Sequence, residues 1–523
     1  MLPCLDGRNP TEEVRMSPTR IIPQPTEQRI AGSAAPFTLI VSSRILATDA
    51  AASVAGYLAG ILRPSTGYPL PIVSPVDGDV AGPADIALHL DLADSSSLGA
   101  EGYTLATSEA GASITAATPA GLFYGVQSFR QLLPPEVEKH SVQSVAWQAT
   151  SATLTDRPRF AWRGAMLDVA RHFFSVPAVK RYIDEIVLFK INTLHLHLTD
   201  DQGWRISIPG RQELTGIGAS TAVGGGSGGF YTEEDFASIV RYAADRFVTI
   251  VPEIDVPGHT QAAIAAYPEI GLPGSSTAVY TGMEVGFSSL DVHADATWQF
   301  LDDVFRSVAS QTPGPYLHIG GDESHTTPPE EFPEFIARAT ALVAAHGKIP
   351  IAWHEAGRSE GLAPGTIGQY WDYATPERNG AELAASFIEQ GGSIIFSPAD
   401  VSYLDITYDE STPIGQAWAG GPTTVQSAYE WEPTDVLLGV PEDRMLGVEA
   451  PLWTETVVTS ADIDYLAFPR LAAVAEIGWS NKDNRTWADF SARLALWDPR
   501  FTALGIAAHR DDPTAGLAPE TLE

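Results

Sequence analysis

Two adjacent carboxylates, Asp322 and Glu323, close the run HIGGDE (318–323). A paired acid just past a strand end is the raw material of proton-transfer chemistry: one carboxyl can hold a proton while its neighbour carries charge. Similar endings recur along the chain. RGAMLDVAR brings Asp168 and Arg171, TLHLHLTD leads to Asp200, Asp201 and Trp204, and VTIVPEID leads to Glu253, Asp255 and His259. Further on come Trp353, His354 and Glu355, then Tyr370, Trp371 and Asp372, then Tyr403 and Asp405, and finally Trp453 and Glu455. Acids interleaved with indoles suit a sugar, because carboxylates accept from hydroxyls and aromatic faces cover the C–H faces of a pyranose.

The elements that must position these groups follow from the rhythm of the chain. From Arg163 onward, short apolar strands alternate with amphipathic helices about eight times, as a (β/α)8 TIM barrel does. In such a barrel the chemistry gathers where strands end, and the acids and indoles fall there. Helices are expected over VPAVKRYIDEIVLFK behind Ser175 as N-cap, over EEDFASIVRYAADR behind Thr232, and through DIDYLAFPRLAAVAEIG as one run. Before the barrel, residues 36–155 read as a small α/β domain, with one helix ended by Pro64 and Gly67 and another stopped at Pro134–Pro135. Residues 1–35 read as a tail or leading strand, 156–505 as the catalytic barrel and 506–523 as a tail.

HLHLTDDQGWR (195–205), PEIDVPGH (252–259), HIGGDE, AWHEA (352–356), YWD (370–372), SYLD (402–405) and EAPLWTE (449–455) resemble the motif set of glycoside hydrolase family 20, the β-N-acetylhexosaminidases. That resemblance spans about residues 30 to 505 and implies a barrel preceded by a small α/β domain. It implies a retaining reaction in which the substrate's own acetamide is the nucleophile and forms an oxazolinium ring. By the same resemblance Glu323 is the acid and later the base, Asp322 holds the acetamide N–H, and Tyr403 donates to the acetamide carbonyl. Arg171 grips O3 and O4, Glu455 accepts from O4, Asp405 and Trp418 serve the O6 end, and Asp200 and His259 lie near the rim. Trp353, Trp371 and Trp453 wall the acetamide, with Asp255 and His318 behind. An arginine on the non-reducing hydroxyls closes the pocket behind one sugar, which implies exo action. A lacto-N-biosidase-like release of disaccharides and a non-catalytic amino-sugar-binding barrel are the alternatives.

Composition narrows the rest. The chain has 523 residues, and Lys+Arg 31 against Asp+Glu 65 gives a formal net charge of -34. Such a surface repels phosphate backbones and anionic lipid, so neither nucleic acid nor a membrane is an expected partner; a small oligosaccharide or glycoconjugate is. The one cysteine, Cys4, makes no internal disulfide. No secretory pattern opens the sequence, and a start at Met16 would not alter this, so a cytoplasmic location is the expectation. No cofactor and no metal are expected: His195 and His197 share a strand face but show no well-placed third ligand. HEAGR (354–358) lacks the second histidine of a zinc-protease helix. GGGSGG (224–229) is followed by no Lys-Ser/Thr and reads as a flexible loop by the site, not a phosphate cradle. Lys180 and Arg181 read as solvent-facing.

Overall fold

The computed structural model describes residues 20–31, 33–75, 81–91, 98–376 and 379–510. Cys4, Met16 and the tail from 511 onward lie outside the described residues.

Eight parallel strands close into a barrel: Trp162–Asp168, Thr193–His197, Thr249–Glu253, Tyr316–His318, Ile349–Trp353, Ile367–Tyr370, Ser393–Phe396 and Met445–Leu452. Each overlaps one of the eight apolar runs of the sequence, the first and fifth starting one residue earlier, at Trp162 and Ile349. The first strand is buried along its whole length, as expected of a parallel strand covered on both faces. Parallel pairing of Gly164–Asp168 with Thr193–His197 and of Trp162–Leu167 with Gly447–Leu452 seals the ring. Because the strands run in register, their carboxyl ends reach one rim together, and that brings distant motifs into one mouth.

The preceding domain is a seven-stranded mixed sheet. Its edge strand Glu27–Ile30 pairs antiparallel with Ala152–Asp156. Helices Ala52–Thr66 and Pro119–Leu132 pack on it, the second capped by the Thr118 hydroxyl, which accepts from the Gly121 N–H.

Four local readings need correction. The first helix does not stop at Pro64; it runs through it to Thr66 and ends on Gly67 in the left-handed conformation. Such a glycine terminates a helix without the Cβ clash that any other residue meets. The run through DIDYLAFPRLAAVAEIG is two helices, Ser460–Ala467 and Arg470–Trp479, because Pro469 supplies no backbone N–H to continue the first. Ser175 precedes its helix with extended backbone but makes no side-chain cap bond, whereas Thr232 and Asp235 form a reciprocal capping box. Arg181 is not a free surface charge: it pairs with Asp464 at 2.6 Å and Glu185 at 2.9 Å, and Lys180 Nζ donates to Ser238 at 2.7 Å.

Candidate active site

A cavity of about 320 Å³ opens at the carboxyl-terminal mouth of the barrel. Arg171, Asp322, Glu323, Trp371, Tyr403, Trp418, Trp453 and Glu455 line it together with Met283, Val285 and Gln416. These residues come from five loops after five different strands and from the long segment after the third, so only closure of the barrel brings them together.

Local backbone aims the acid pair. The fourth strand ends at His318, and the chain then passes through Gly320 at φ 68°, Gly321 at φ 97° and Glu323 at φ 42°. The pair therefore leaves the strand through a left-handed turn. A Cβ on Gly320 would sit 1.7 Å from Asp255 Oδ1, so only glycine fits there. Asp255 Oδ1 in turn accepts from the Gly321 N–H at 3.1 Å. Left-handed backbone at a non-glycine residue costs energy and persists where surrounding structure fixes it; here that residue is Glu323. Both carboxylates face one imidazole nitrogen, His259 Nε2, which lies 3.7 Å from Asp322 Oδ2 and 3.6 Å from Glu323 Oε2.

Beneath the cavity runs a chain of buried ionic contacts. Arg171 Nη2 lies 2.8 Å from Asp200 Oδ2, and its guanidinium covers the Trp453 ring at 4.9 Å. Asp200 also meets His197 Nε2 at 2.9 Å and His259 Nδ1 at 3.3 Å. His197 Nδ1 reaches Glu253 Oε2 at 2.5 Å, Glu253 reaches His195 Nε2 at 3.0 Å, and His195 Nδ1 reaches Glu449 at 2.9 Å. Trp353 Nε1 donates to Glu253 Oε1 at 3.0 Å, and His318 Nδ1 lies 3.0 Å from that same oxygen and from the Gly320 nitrogen. Asp200, His259, Trp353 and Asp405 are almost wholly buried beside the residues that line the cavity. Asp200 and His259 there orient Arg171 and the acid pair, while Trp353 backs Trp453 with ring centroids 6.0 Å apart. Asp255 and His318 sit in the same buried layer.

Charge states follow from this arrangement. Burial pushes Asp322 up to about 7, with Glu355 and Glu323 adding to the rise against the pull of His259. Burial and the charge of Asp322 hold Asp255 well above the usual carboxylate range. Burial disfavours the charged imidazole of His195, but Glu253 and Glu449 outweigh it and raise the group to about 9. Asp200 is buried too, yet Arg171 and His259 hold it well below the usual range. Burial and the nearby Asp322 and Asp405 keep the Tyr403 phenol protonated, and so a donor.

The same residues bear on metal binding. His195 does have neighbours of ligand type: it forms one close group with Glu253 and His318, and His197 forms another with Glu253 and Asp255. Within them Glu253 lies at hydrogen-bond distance of His195 Nε2, His197 Nδ1, His318 Nδ1 and Trp353 Nε1, while His318 Nε2 and Asp255 Oδ2 have no hydrogen-bond partner within the protein.

Three residues of the mouth escaped assignment from sequence. Met283, Val285 and Gln416 lie on irregular segments with no periodicity to mark them. Glu355 follows the fifth strand and accepts from Trp371 Nε1 at 2.8 Å, fixing that indole; its place in AWHEA was the available signal. The GGGSGG segment borders the site, with the Gly224 N–H donating to Thr281 O at 2.8 Å and the Val223 N–H to Arg171 O at 3.0 Å.

The family model for the glycosyl hydrolase family 20 catalytic domain matches residues 160–334 and 326–482, and the model for domain 2 of that family matches residues 18–156. The chain belongs to glycosyl hydrolase family 20. It is 39% identical over 512 residues to a β-N-acetylhexosaminidase of Cellulomonas fimi, covering 96% of this chain and 99% of the relative. Among solved structures it superposes on the family 20 β-N-acetylhexosaminidase of Streptomyces coelicolor A3(2) with a TM-score of 0.90 at 45% identity, covering 94% of this chain and 98% of that one. A mutant Streptomyces plicatus β-hexosaminidase in complex with product (GlcNAc) superposes equally well, with a TM-score of 0.90 at 46% identity over 95% of this chain and 98% of that one. Family 20 membership makes the protein a glycoside hydrolase with a TIM-barrel catalytic domain.

Proposed function

We propose that this family 20 enzyme removes single β-linked N-acetylhexosamine residues from non-reducing ends, with retention, and that the substrate's acetamide is the nucleophile. The observation that carries the reading is the meeting of Asp322, Glu323 and Tyr403 in one cavity whose inner end holds Arg171 and Glu455, 4.0 Å apart.

In the first step the acetamide oxygen attacks C1, the C1–O bond to the leaving group breaks, and Glu323 passes its proton to the departing oxygen. The product is a cyclic oxazolinium ion. Asp322, ionised, accepts from the acetamide N–H and balances the positive charge that grows on it, and Tyr403 donates to the acetamide oxygen. In the second step water attacks C1, the bond from C1 to the acetamide oxygen breaks, and Glu323 recovers a proton from the water. Two inversions give retention. An internal nucleophile held in position lowers the barrier by about 7–11 kcal/mol, and the acid contributes about 10²–10⁴-fold. Arg171 and Glu455 bind the hydroxyls farthest from the cleaved bond, which restricts cleavage to one terminal sugar.

The test compares an aryl 2-acetamido-β-glucoside with the matching 2-hydroxy glucoside, with the anomer first released followed by NMR. Cleavage of the acetamido sugar alone, with the β-anomer appearing first, is expected. Equal cleavage of both, or first release of the α-anomer, would overturn the reading.

A further inference from the structure

A second cavity, of about 520 Å³, opens where the small domain meets the barrel. None of its lining residues lines the catalytic cavity. Arg130, Lys139 and His140 reach it from the small domain, Arg181 from the barrel helix Val176–Ile186, and Arg246 from just past the helix Glu233–Ala244. Three carboxylates stand among them, Glu138, Asp184 and Glu185. Four Lys or Arg against three acids leave the wall a formal charge of +1, in a chain whose total is -34. Charges farther off than a Debye length of about 8 Å are largely screened at physiological salt, so the local sign governs what binds there.

The three carboxylates are already held. Arg130 and Arg500 both bind Glu138, Arg246 Nε lies 2.5 Å from Asp184 Oδ1, and Arg181 Nη2 lies 2.9 Å from Glu185 Oε1. Arg246 is fixed from a second side. Its guanidinium covers the Tyr242 ring at 3.5 Å, its Nη1 donates to Tyr242 O at 3.2 Å, and the Tyr242 hydroxyl donates to Asp184 Oδ2 at 2.6 Å. Arg246 Nη2 is left with no acceptor among the described residues. The exposed side chains of Lys139 and His140 likewise have no hydrogen-bond or ion-pair partner among the described residues. The buried ions of this junction are satisfied, and the spare donors, from both domains, sit on its rim.

We propose that this cavity binds an oxyanion of the phosphate or sulfate type, free or as an ester, between Lys139 and His140 of the small domain and Arg246 of the barrel. A tetrahedral oxyanion presents oxygens in several directions, which suits donors arriving from separate elements, whereas a carboxylate is planar. Hydrogen bonds to such an ion are about twice as strong as neutral ones. The cavity is larger than a bare oxyanion and leaves room for the organic body of an ester. Bound there, the ion ties the small domain to the barrel.

The test titrates inorganic phosphate and glucose 6-phosphate into the full chain by calorimetry at constant ionic strength, in wild type, Lys139→Glu and Arg246→Gln. Saturable binding to wild type is expected, with a dissociation constant on the order of 1 mM. Each substitution is expected to weaken it about fivefold or more, as loss of a charge-assisted hydrogen bond does. Lys139 has no partner within the described residues, so Lys139→Glu is expected to keep the wild-type Tm in potassium chloride, which separates lost binding from lost folding. Tighter binding of glucose 6-phosphate than of phosphate would support an ester as occupant, and equal or weaker binding would support the free ion. A rise in Tm with phosphate does not count, because excluded salts stabilise folded proteins in general. No saturable binding of either ligand to wild type, or an affinity unchanged in either variant, would overturn the proposal.

Discussion

Buried charge is handled in opposite ways at the two ends of the barrel. Where the small domain meets the barrel, ions are paired and satisfied. Glu138 is bridged by Arg130 and by Arg500 from the last barrel helix, which together hold it below the usual carboxylate range despite burial. Lys190 Nζ meets Asp156 at 2.8 Å and Tyr103 at 2.9 Å, and Arg163 meets Glu101 at 2.8 Å. At the catalytic mouth, polar atoms are equally buried but Arg171 Nε, Asp322 Oδ1 and Glu455 Oε2 have no hydrogen-bond partner within the protein. A satisfied buried network locks a structure, whereas an unsatisfied one carries a cost. The first region holds the enzyme together. The second keeps its hydrogen-bonding capacity for a ligand.

The sharpest way to break this comparison is at the acid pair. Glu323→Gln is expected to lower kcat by about 10³-fold on alkyl or sugar leaving groups but far less on an activated aryl one; equal losses on both would remove its role as acid. Asp322→Asn is expected to cost about 10²–10³-fold in kcat while product still binds, read by steady-state kinetics and calorimetry. At the inner end, Arg171→Lys is expected to reduce kcat/KM about 10²-fold, because an ammonium cannot keep Asp200 and Trp453 in their present arrangement and also reach two hydroxyls.

Away from the mouth the expected signature inverts. Glu138→Gln strands two buried guanidinium groups and is expected to destabilise the fold by about 3–5 kcal/mol in denaturant unfolding, with kcat at 25 °C close to wild type. A large activity loss without destabilisation would contradict the division between the two regions. The smallest expected effect has the opposite sign. Because burial lifts Asp322 to about 7, the folded protein binds more protons than the unfolded chain between pH 4 and 7, so this group makes stability fall as pH rises through that window. Asp322→Asn removes the effect and is expected to raise Tm by about 1–3 °C at pH 8 while leaving it unchanged at pH 4, by scanning calorimetry.

How much of this the sequence discloses depends on periodicity. Eight apolar runs ending in acids and indoles mark the barrel strands and the loops of the mouth, because strand ends coincide with function in this architecture. Depth is another matter. Nothing in RGAMLDVAR or HLHLTDD separates Arg171, which lines the cavity, from Asp200, which holds it in place. That ordering emerges only when Asp200 is seen to engage His197, His259 and Arg171 together. Met283 and Val285 were illegible for a different reason: they sit in an irregular stretch whose position is fixed by contacts with Gln202, Gly224 and Thr326, none of them near in sequence. The split at Pro469 was legible from the proline itself.

A Cβ on Gly286 would come within 2.9 Å of Glu323 O, and this close approach carries a consequence for how the enzyme can diverge. Lengthening, shortening or stiffening the 279–287 stretch would press on the backbone that carries Glu323. A changed cavity lining is therefore reached with least disturbance by exchanging side chains such as Met283 and Val285 on an unaltered loop, and a graft of the whole loop is expected to disturb the acid pair first.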